Sequence, residues 1–371
     1  MSVAIAEIAE GVLRCVSREN VVFFVVVDSD RPPAARGRPA NGGIRIQEYP
    51  DEAAAIREAH SLAERMTHKQ ALYNTGFGGV KIVVCASPAG LDKRTLMDAI
   101  AQVLHTLQGS VYTGCDLNTD DQDMRYLAQQ SPYVLAGIGS DIDPSEATAS
   151  GVYGTILGAV GTDEIRHKRF LVHGIGKVGL AIAQRLTACG AGILSYDMVP
   201  ERANHPGFYN VSDCSEWWRL PFDVLVLCSA SNMVTPAIAR QLPCQAVVGS
   251  ANQPFDDTKA VAAILEERNI LWIPDIVSSA GAVISDSIEH YAPDVFRHAE
   301  PAAIYAFISH LTCGKTQHLL EKYRRGTAMS EVLTSQIYRE HVGSVCGLTF
   351  QLTQPFSVQP PQYAQEEYTH V

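Results

Sequence analysis

Apolar and polar positions along this chain follow two rhythms, and each rhythm predicts an element type. The run Val21 to Val27 is continuously apolar for seven residues, far short of the ~20 that a membrane helix needs, and reads as a buried strand. Pro39 to Gly43 reads as a turn. Tyr49-Pro50-Asp51-Glu52 places a proline and two acids at a helix entry, after which Ile56, Ala59, Ala63 and Met66 recur at helical spacing. That helix is expected to end near Met66 and to deliver Thr67-His68-Lys69. A glycine-rich turn, Gly76-Phe77-Gly78-Gly79, leads to Lys81 and the β-branched run Ile82-Val83-Val84. A second helix is predicted from about Leu91 to Leu107, with Leu96, Ile100, Val103 and Leu107 on one face and Gly109 at its end.

From about Ser150 short apolar runs alternate with helical stretches, the signature of βαβ units and a parallel sheet. Candidate strands are Phe170 to Val172, Ile193 to Tyr196, Val224 to Leu227, Ala246 to Val248 and Ile270 to Ile273. Runs of this kind suit a doubly wound dinucleotide-binding domain over residues 149–300, after a first domain over 1–148. Tyr305 to Leu333 is again helical in pattern, and the helices of 301–350 are expected to pack back on the first domain. Residues 351–371, rich in Gln, Pro and Tyr, read as a mobile tail.

Composition narrows the function classes. The 371 residues carry 29 basic and 40 acidic side chains, a formal net charge of −11, which argues against a nucleic-acid binder. With 46% hydrophobic and 19% charged residues the chain is not intrinsically disordered. Its nine cysteines are odd in number and scattered without a CxxC pair, which fits reduced thiols, and its twelve histidines include no HExxH, so no metal site is expected. Met1 to Glu10 lacks the basic start and long apolar core of a signal peptide, and a cytoplasmic protein without membrane contact is expected.

The clearest chemical signal is Gly174-Ile175-Gly176-Lys177-Val178-Gly179, directly after the strand Phe170-Leu171-Val172 and opening the helix that holds Ile182 and Leu186. The glycines permit a tight turn and close approach of a pyrophosphate, the helix N-terminus supplies free N–H groups, and Asp197 ends the next strand ~20 residues on. That carboxylate suits the ribose hydroxyls of NAD; Arg202 is the residue that would instead accept the 2′-phosphate of NADP. Lys69 and Lys81 also stand out. Two ammonium groups in one cleft repel, and burial disfavours charge, so one could serve as a base near pH 7. Taken alone, the two are better read as a helix C-terminal cation, Lys69, and a snorkelling strand-edge residue, Lys81.

A resemblance resolves that choice. Asn41-Gly42-Gly43-Ile44-Arg45, the helix beginning at Asp51, Met66-Thr67-His68-Lys69 and Gly78-Gly79-Val80-Lys81 stand in an order and spacing similar to the leucine, valine, phenylalanine and glutamate dehydrogenase family, closest to its leucine dehydrogenase branch. Further matches are Thr113-Gly114-Cys115-Asp116, Thr148-Ala149-Ser150-Gly151-Val152, the Gly174 fingerprint, Gly249-Ser250-Ala251-Asn252-Gln253, and Pro274-Asp275 leading into Ser279-Ala280-Gly281-Ala282. The resemblance implies an α/β protein with an N-terminal substrate domain built on a mixed sheet and a Rossmann-type doubly wound dinucleotide-binding domain. An active site would lie in the cleft between them. It implies that Lys69 binds the substrate α-carboxylate beside Gly42 and Gly43, that Lys81 polarises the carbonyl and activates the attacking water, and that Asp116 exchanges protons with the amine. Thr148, Ser229, Ala230 and Asn252 would join residues 174–179 and Asp197 around NAD. The implied reaction is reversible oxidative deamination of an L-amino acid to a 2-oxo acid and ammonia, in a homo-oligomer.

Several positions depart from the family pattern. Val80 replaces a third glycine and is expected to narrow the approach of substrate; Ser279 replaces an asparagine; His68 replaces a tyrosine. These changes motivate an imine reductase or cyclising deaminase on the same fold as an alternative, with a catalytically silent dinucleotide-binding protein as a third reading. The side-chain pocket implied by the resemblance holds Asn41, Gly114, Val283 and Asp286. A carboxylate there favours polar, basic or indolic side chains over leucine and valine, unless Asp286 faces solvent or caps a helix starting near Ser285.

Overall fold

The computed structural model describes residues 3–28, 38–161, 164–229, 231–323, 329–330 and 332–333. The expected tail, 351–371, and Ala230 lie outside the described residues. The chain divides into two units. Of the described residues, one takes those up to Asp141 together with Asp286–His298, and the second takes Ile142–Ser285 and those from Ala299 onward.

In the first unit, β1 (Ala4–Ala9), β2 (Val12–Val16) and β3 (Val22–Val27) form an antiparallel meander, and β3 pairs antiparallel with β5 (Gly78–Cys85). Strand β4 (Ala40–Gln47) lies between β5 and β6 (Val111–Cys115), parallel to both, so the mixed sheet runs β1-β2-β3-β5-β4-β6. Helix α1 (Glu52–Leu72) covers one face, where Ala55, Ala59 and Ala63 pack on Phe24, Val26 and Val83. On the other face Ile44, Val80, Ile82 and Val84 pack with Leu96, Ile100 and Leu104 of α2 (Lys93–Thr106) and Leu127 of α3 (Asp121–Gln130).

Two expectations are corrected here. Pro39 to Gly43 is not a turn, because residues from Ala40 onward form the central strand β4. Glycine is needed there for close approach: a Cβ on Gly42 would lie 1.7 Å from the Val80 carbonyl oxygen, and one on Gly43 would lie 2.6 Å from that of Cys115. Helix α1 does not end near Met66. Buried Ala71 and Leu72 continue its apolar packing, and the helix stops only before Asn74, whose φ is 51°.

The second unit carries β7 (Arg169–His173), α5 (Lys177–Ala188), β8 (Gly192–Tyr196), β9 (Phe208–Asn210), β10 (Val224–Leu227) and β11 (Ala246–Gly249), with β12 (Leu271–Trp272) at one edge. All pairs are parallel, in the order β9-β8-β7-β10-β11-β12, the doubly wound Rossmann arrangement. Three of the shorter helices are α6 (Pro236–Ala239), α7 (Thr258–Glu267) and α8 (Asp275–Ser278). Helix α4 (Pro144–Val160) opens the unit, and α9 (Gly281–Tyr291) crosses from the second unit to the first at Asp286.

After α10 (Pro293–His298), α11 (Pro301–Lys322) falls within the second unit, where it had been expected to join the first. It packs along α4 within the second unit, where the small residues Gly154 and Gly158 admit it closely. Among the described residues no helix is long and apolar enough to cross a membrane.

Candidate active site

Strand alternation places the candidate chemistry on the α1 face of the first sheet. Asn41, Gly43 and Arg45 alternate along β4; Asn41 lies opposite Gly79 on β5 and Tyr112 on β6, and Gly43 lies opposite Gly114. Lys81 follows Gly79 on the same face of β5 and is 5% exposed. Its Nζ lies 2.7 Å from Asp116 Oδ2. Arg45 Nε donates to the same oxygen at 2.8 Å and Arg45 Nη1 donates to Glu58 Oε1 of α1 at 2.6 Å. Asp116 is anchored in turn by its own N–H, which donates to Thr119 Oγ1 at 2.9 Å.

This packing fixes the electrostatics. Burial lowers the Lys81 pKa, the Asp116 charge opposes that, and the Arg45 charge reinforces it. Burial alone would raise the Asp116 carboxyl, but the Lys81 and Arg45 charges outweigh it and hold the group below the usual carboxylate range. The arrangement is an ion pair whose ammonium is less favoured than in water.

The last turn of α1 carries Lys69, which is buried, and the Gly79 N–H donates to Thr67 Oγ1 at 3.0 Å, tying that turn to the mouth of β5. Val80 contradicts the expectation that it narrows the substrate approach. Alternation turns its side chain to the opposite face of β5 from Lys81, where it is fully buried in the α2-side core. Ser279 is buried in the turn between α8 and α9, and its hydroxyl donates to the Asp275 carbonyl at 2.9 Å.

Of the implied side-chain pocket, the first unit brings together Asn41 and Asp286. The Asn41 side chain is 1% exposed, and its Nδ2 donates to Asp286 Oδ2 at 2.7 Å. Helix α9 starts at Gly281, so Asp286 is an interior helical residue and not a cap. Burial pushes its carboxyl well above the ordinary range, and the neighbouring Glu289 adds to that. Glu289 is itself pushed up to about 7 by burial, although it accepts the Gly137 N–H at 3.0 Å. Val283, buried, lies on the part of α9 that belongs to the second unit.

In the second unit the Gly174 loop has the form a dinucleotide requires. Gly174 has φ 97°, and a Cβ on Gly179 would lie 1.9 Å from the Gly174 carbonyl oxygen, so both glycines are needed for the tight turn and the close helix–strand packing. A Cβ on Gly176 meets nothing within 4 Å, and α5 begins there without a side-chain cap, leaving N–H groups and open space for a pyrophosphate. Asp197 Oδ2 accepts the Ile175 N–H at 2.7 Å and Oδ1 accepts the Val199 N–H at 2.9 Å, so the carboxylate is held at the loop. Lys177 is exposed and Val178 partly buried, while Arg202 is exposed beyond β8. Ser229 Oγ lies 2.8 Å from His173 Nδ1, and burial pushes that imidazole down to about 4. Thr148 donates to the Pro144 carbonyl at 2.9 Å within α4, and Asn252 is partly buried in the loop after β11.

Sequence reasoning missed Arg45 and Glu58 as members of the Lys81 cluster. The signal was present for Arg45, which stands two residues after Gly43 and therefore on the same strand face. For Glu58 no local signal existed, since only the packing of α1 over β4 and β5 brings it near. Glu289 was missed for the same reason, whereas His173, directly before Gly174, meets Ser229 through the pairing of β7 with β10.

Comparison with known proteins agrees with this architecture. Residues 34–133 match the family description "Glu/Leu/Phe/Val dehydrogenase, dimerisation domain", and residues 195–301 match "Glutamate/Leucine/Phenylalanine/Valine dehydrogenase". The chain is 30% identical to phenylalanine dehydrogenase of Lysinibacillus sphaericus over 272 residues, covering 69% of this chain and 71% of that protein. It is 29% identical to leucine dehydrogenase of Bacillus cereus over 292 residues, covering 76% and 78%. These identities do not separate the leucine from the phenylalanine branch. Among solved structures, L-tryptophan dehydrogenase from Nostoc punctiforme superposes with a TM-score of 0.68 at 23% identity, covering 89% of this chain and 96% of that one. Hetero-hexameric glutamate dehydrogenase from Thermus thermophilus gives 0.71 at 21% identity, covering 89% and 87%.

Proposed function

The chain belongs to the glutamate, leucine, phenylalanine and valine dehydrogenase family, and we propose that it catalyses NAD-linked, reversible oxidative deamination of an L-amino acid to a 2-oxo acid and ammonia. The observation that carries this reading is the buried Lys81–Asp116 pair, 2.7 Å apart, with Lys69 on the adjoining helix end. Dinucleotide chemistry is a property of the family, and the Gly174 loop fits the pyrophosphate; the held carboxylate of Asp197 supports NAD over NADP.

In this reading Lys69 fixes the substrate α-carboxylate as a point charge, and bound NAD supplies a hydride acceptor for the hydrogen on Cα. Asp116, ionised and next to Lys81, takes up and returns a proton at the substrate amine. Lys81, its charge disfavoured by burial, accepts a proton from the water that attacks the resulting iminium carbon. Arg45 holds Asp116 in place and so acts as a positioning residue.

The preferred side chain in this reading is polar, basic or indolic, supported by Asn41 and Asp286 facing one another where the family places its side-chain pocket. A homo-oligomer is supported by β1, an edge strand whose six residues are all exposed, Ile5 and Ile8 among them. Absorbance at 340 nm tests the reaction: NADH should accumulate with NAD and an L-amino acid panel, and should be consumed with ammonia and the matching 2-oxo acid. Absence of both signals, with NADH still bound, would contradict the assignment and favour a silent dinucleotide-binding protein.

A further inference from the structure

Asn41 and Asp286 form an unfinished polar contact. The Asn41 amide is almost wholly buried and spends its Nδ2 on Asp286, yet its Oδ1 is buried with no hydrogen-bond donor. A buried amide oxygen left unpaired costs about 1–3 kcal/mol, so the pair is better suited to an added donor than to the state shown. Asp286 itself is partly buried as a residue. Lys81 and Arg45 are balanced by Asp116 and Glu58.

The groups around Asp286 point the same way. Glu289, one turn along α9, adds negative character; His290, the next residue, packs its ring on Tyr112 of β6 at 4.6 Å; and the Cys115 thiol on β6 is pushed up to about 12, first by burial and then by nearby acids, Asp286 included. An amide oxygen without a donor and a carboxyl group therefore stand side by side.

Resting on the deamination reading above, we propose that Asn41 and Asp286 recognise the terminal ammonium or guanidinium of a basic amino-acid substrate, and that the Asp286 carboxyl releases its proton to solvent as that cation arrives. A cation with several N–H donors satisfies Asn41 Oδ1 and the carboxylate together, and a charge-assisted contact of this kind is the stronger sort. An isoleucyl or leucyl side chain would leave Asn41 Oδ1 without a donor and give the carboxyl no cation. The proton release follows from burial and Glu289 favouring the neutral carboxyl in the absence of the cation.

The test has two readouts on the full-length enzyme. Initial rates of NADH formation with L-lysine, L-ornithine, L-arginine, L-leucine and L-tryptophan should rank at least one basic substrate tenfold or more above leucine and tryptophan in kcat/KM. Calorimetric titration of the enzyme–NADH complex at pH 6, in two buffers of different ionisation enthalpy, should count more protons released with L-lysine than with L-leucine, which shares the α-amino and α-carboxylate groups. Asp286→Asn should abolish the lysine excess and reduce the basic-to-leucine ratio at least tenfold. If that variant does not fold, the wild-type difference between lysine and leucine decides alone. Leucine or tryptophan outrunning every basic substrate, or equal proton counts for lysine and leucine, overturns the inference and leaves the deamination reading intact. Lysine binding with excess proton release but no turnover of any amino acid supports this site and overturns the reaction.

Discussion

Lys81 Nζ and Asp116 Oδ2 stand 2.7 Å apart on one face of the mixed sheet, and Arg45 reaches the same carboxylate oxygen from the neighbouring strand. Burial and Arg45 both work against the ammonium, and Asp116 works for it. For a base whose pKa is lowered, activity that needs the neutral amine is lost as pH falls through that lowered value.

The acid limb of kcat/KM is therefore expected below the ordinary lysine range. Replacing Asp116 by Asn removes the charge that supports the ammonium, so the residual activity of Asp116→Asn should show an acid limb moved to lower pH. A limb that moves upward would contradict the assigned electrostatics. Rates across a pH series for both proteins provide the check.

The proposed preference for NAD rests on Asp197, whose carboxylate is held at the Gly174 loop and would repel a 2′-phosphate. NADH should bind at least about tenfold more tightly than NADPH, roughly 1.4 kcal/mol. Fluorescence titration showing the opposite order would move the assignment to Arg202.

Val80 turns away from Lys81 into the core, so Val80→Gly should act on stability and not on substrate access. A buried valine lost from a central strand costs about 2–4 kcal/mol in cavity and backbone terms. Urea unfolding should show that loss, while KM for the amino acid stays within about twofold in the folded variant. A large fall in KM without destabilisation would restore the view that Val80 crowds the substrate.

Much of this was legible in the sequence because it is local. The Gly174 fingerprint sits where strand, turn and helix signals coincide, and the predicted strands of the second unit are short apolar runs: Val224–Leu227 coincides, Arg169–His173 adds one residue at each end, and the last shortens to Leu271–Trp272, while β9 (Phe208–Asn210) was not foreseen. The first unit was harder. Gly42 and Gly43 carry turn signals locally, and only the crowding of β5 and β6 explains glycine within a central strand. Val80 was misjudged because a position beside Lys81 in sequence lies on the other face of the strand. Glu58 and Glu289 reach their partners through helix packing that no spacing rule encodes.

Glu289 gives a pH-dependent stability. Its carboxyl is raised from 4.5 to about 7 by burial, so the folded state keeps a proton that the unfolded state has lost between those values. Stability should fall as pH rises from about 4.5 to 7, by about 1–3 kcal/mol for a partly exposed group. Glu289→Gln, which retains an acceptor for the Gly137 N–H, should flatten that decline. Denaturation midpoints at pH 5 and pH 8 for both proteins test the sign; an unchanged slope in the variant would contradict it.

The central claim is that Lys81 acts on the amino-acid substrate and not on the dinucleotide, and one measurement addresses it directly: kcat of Lys81→Ala beside the NADH Kd of the same preparation. A general base contributes about 10²-fold or more, so turnover should fall at least that far while the Kd for NADH stays within about twofold of the unmutated enzyme. Retention of more than about a tenth of the unmutated turnover would contradict the account.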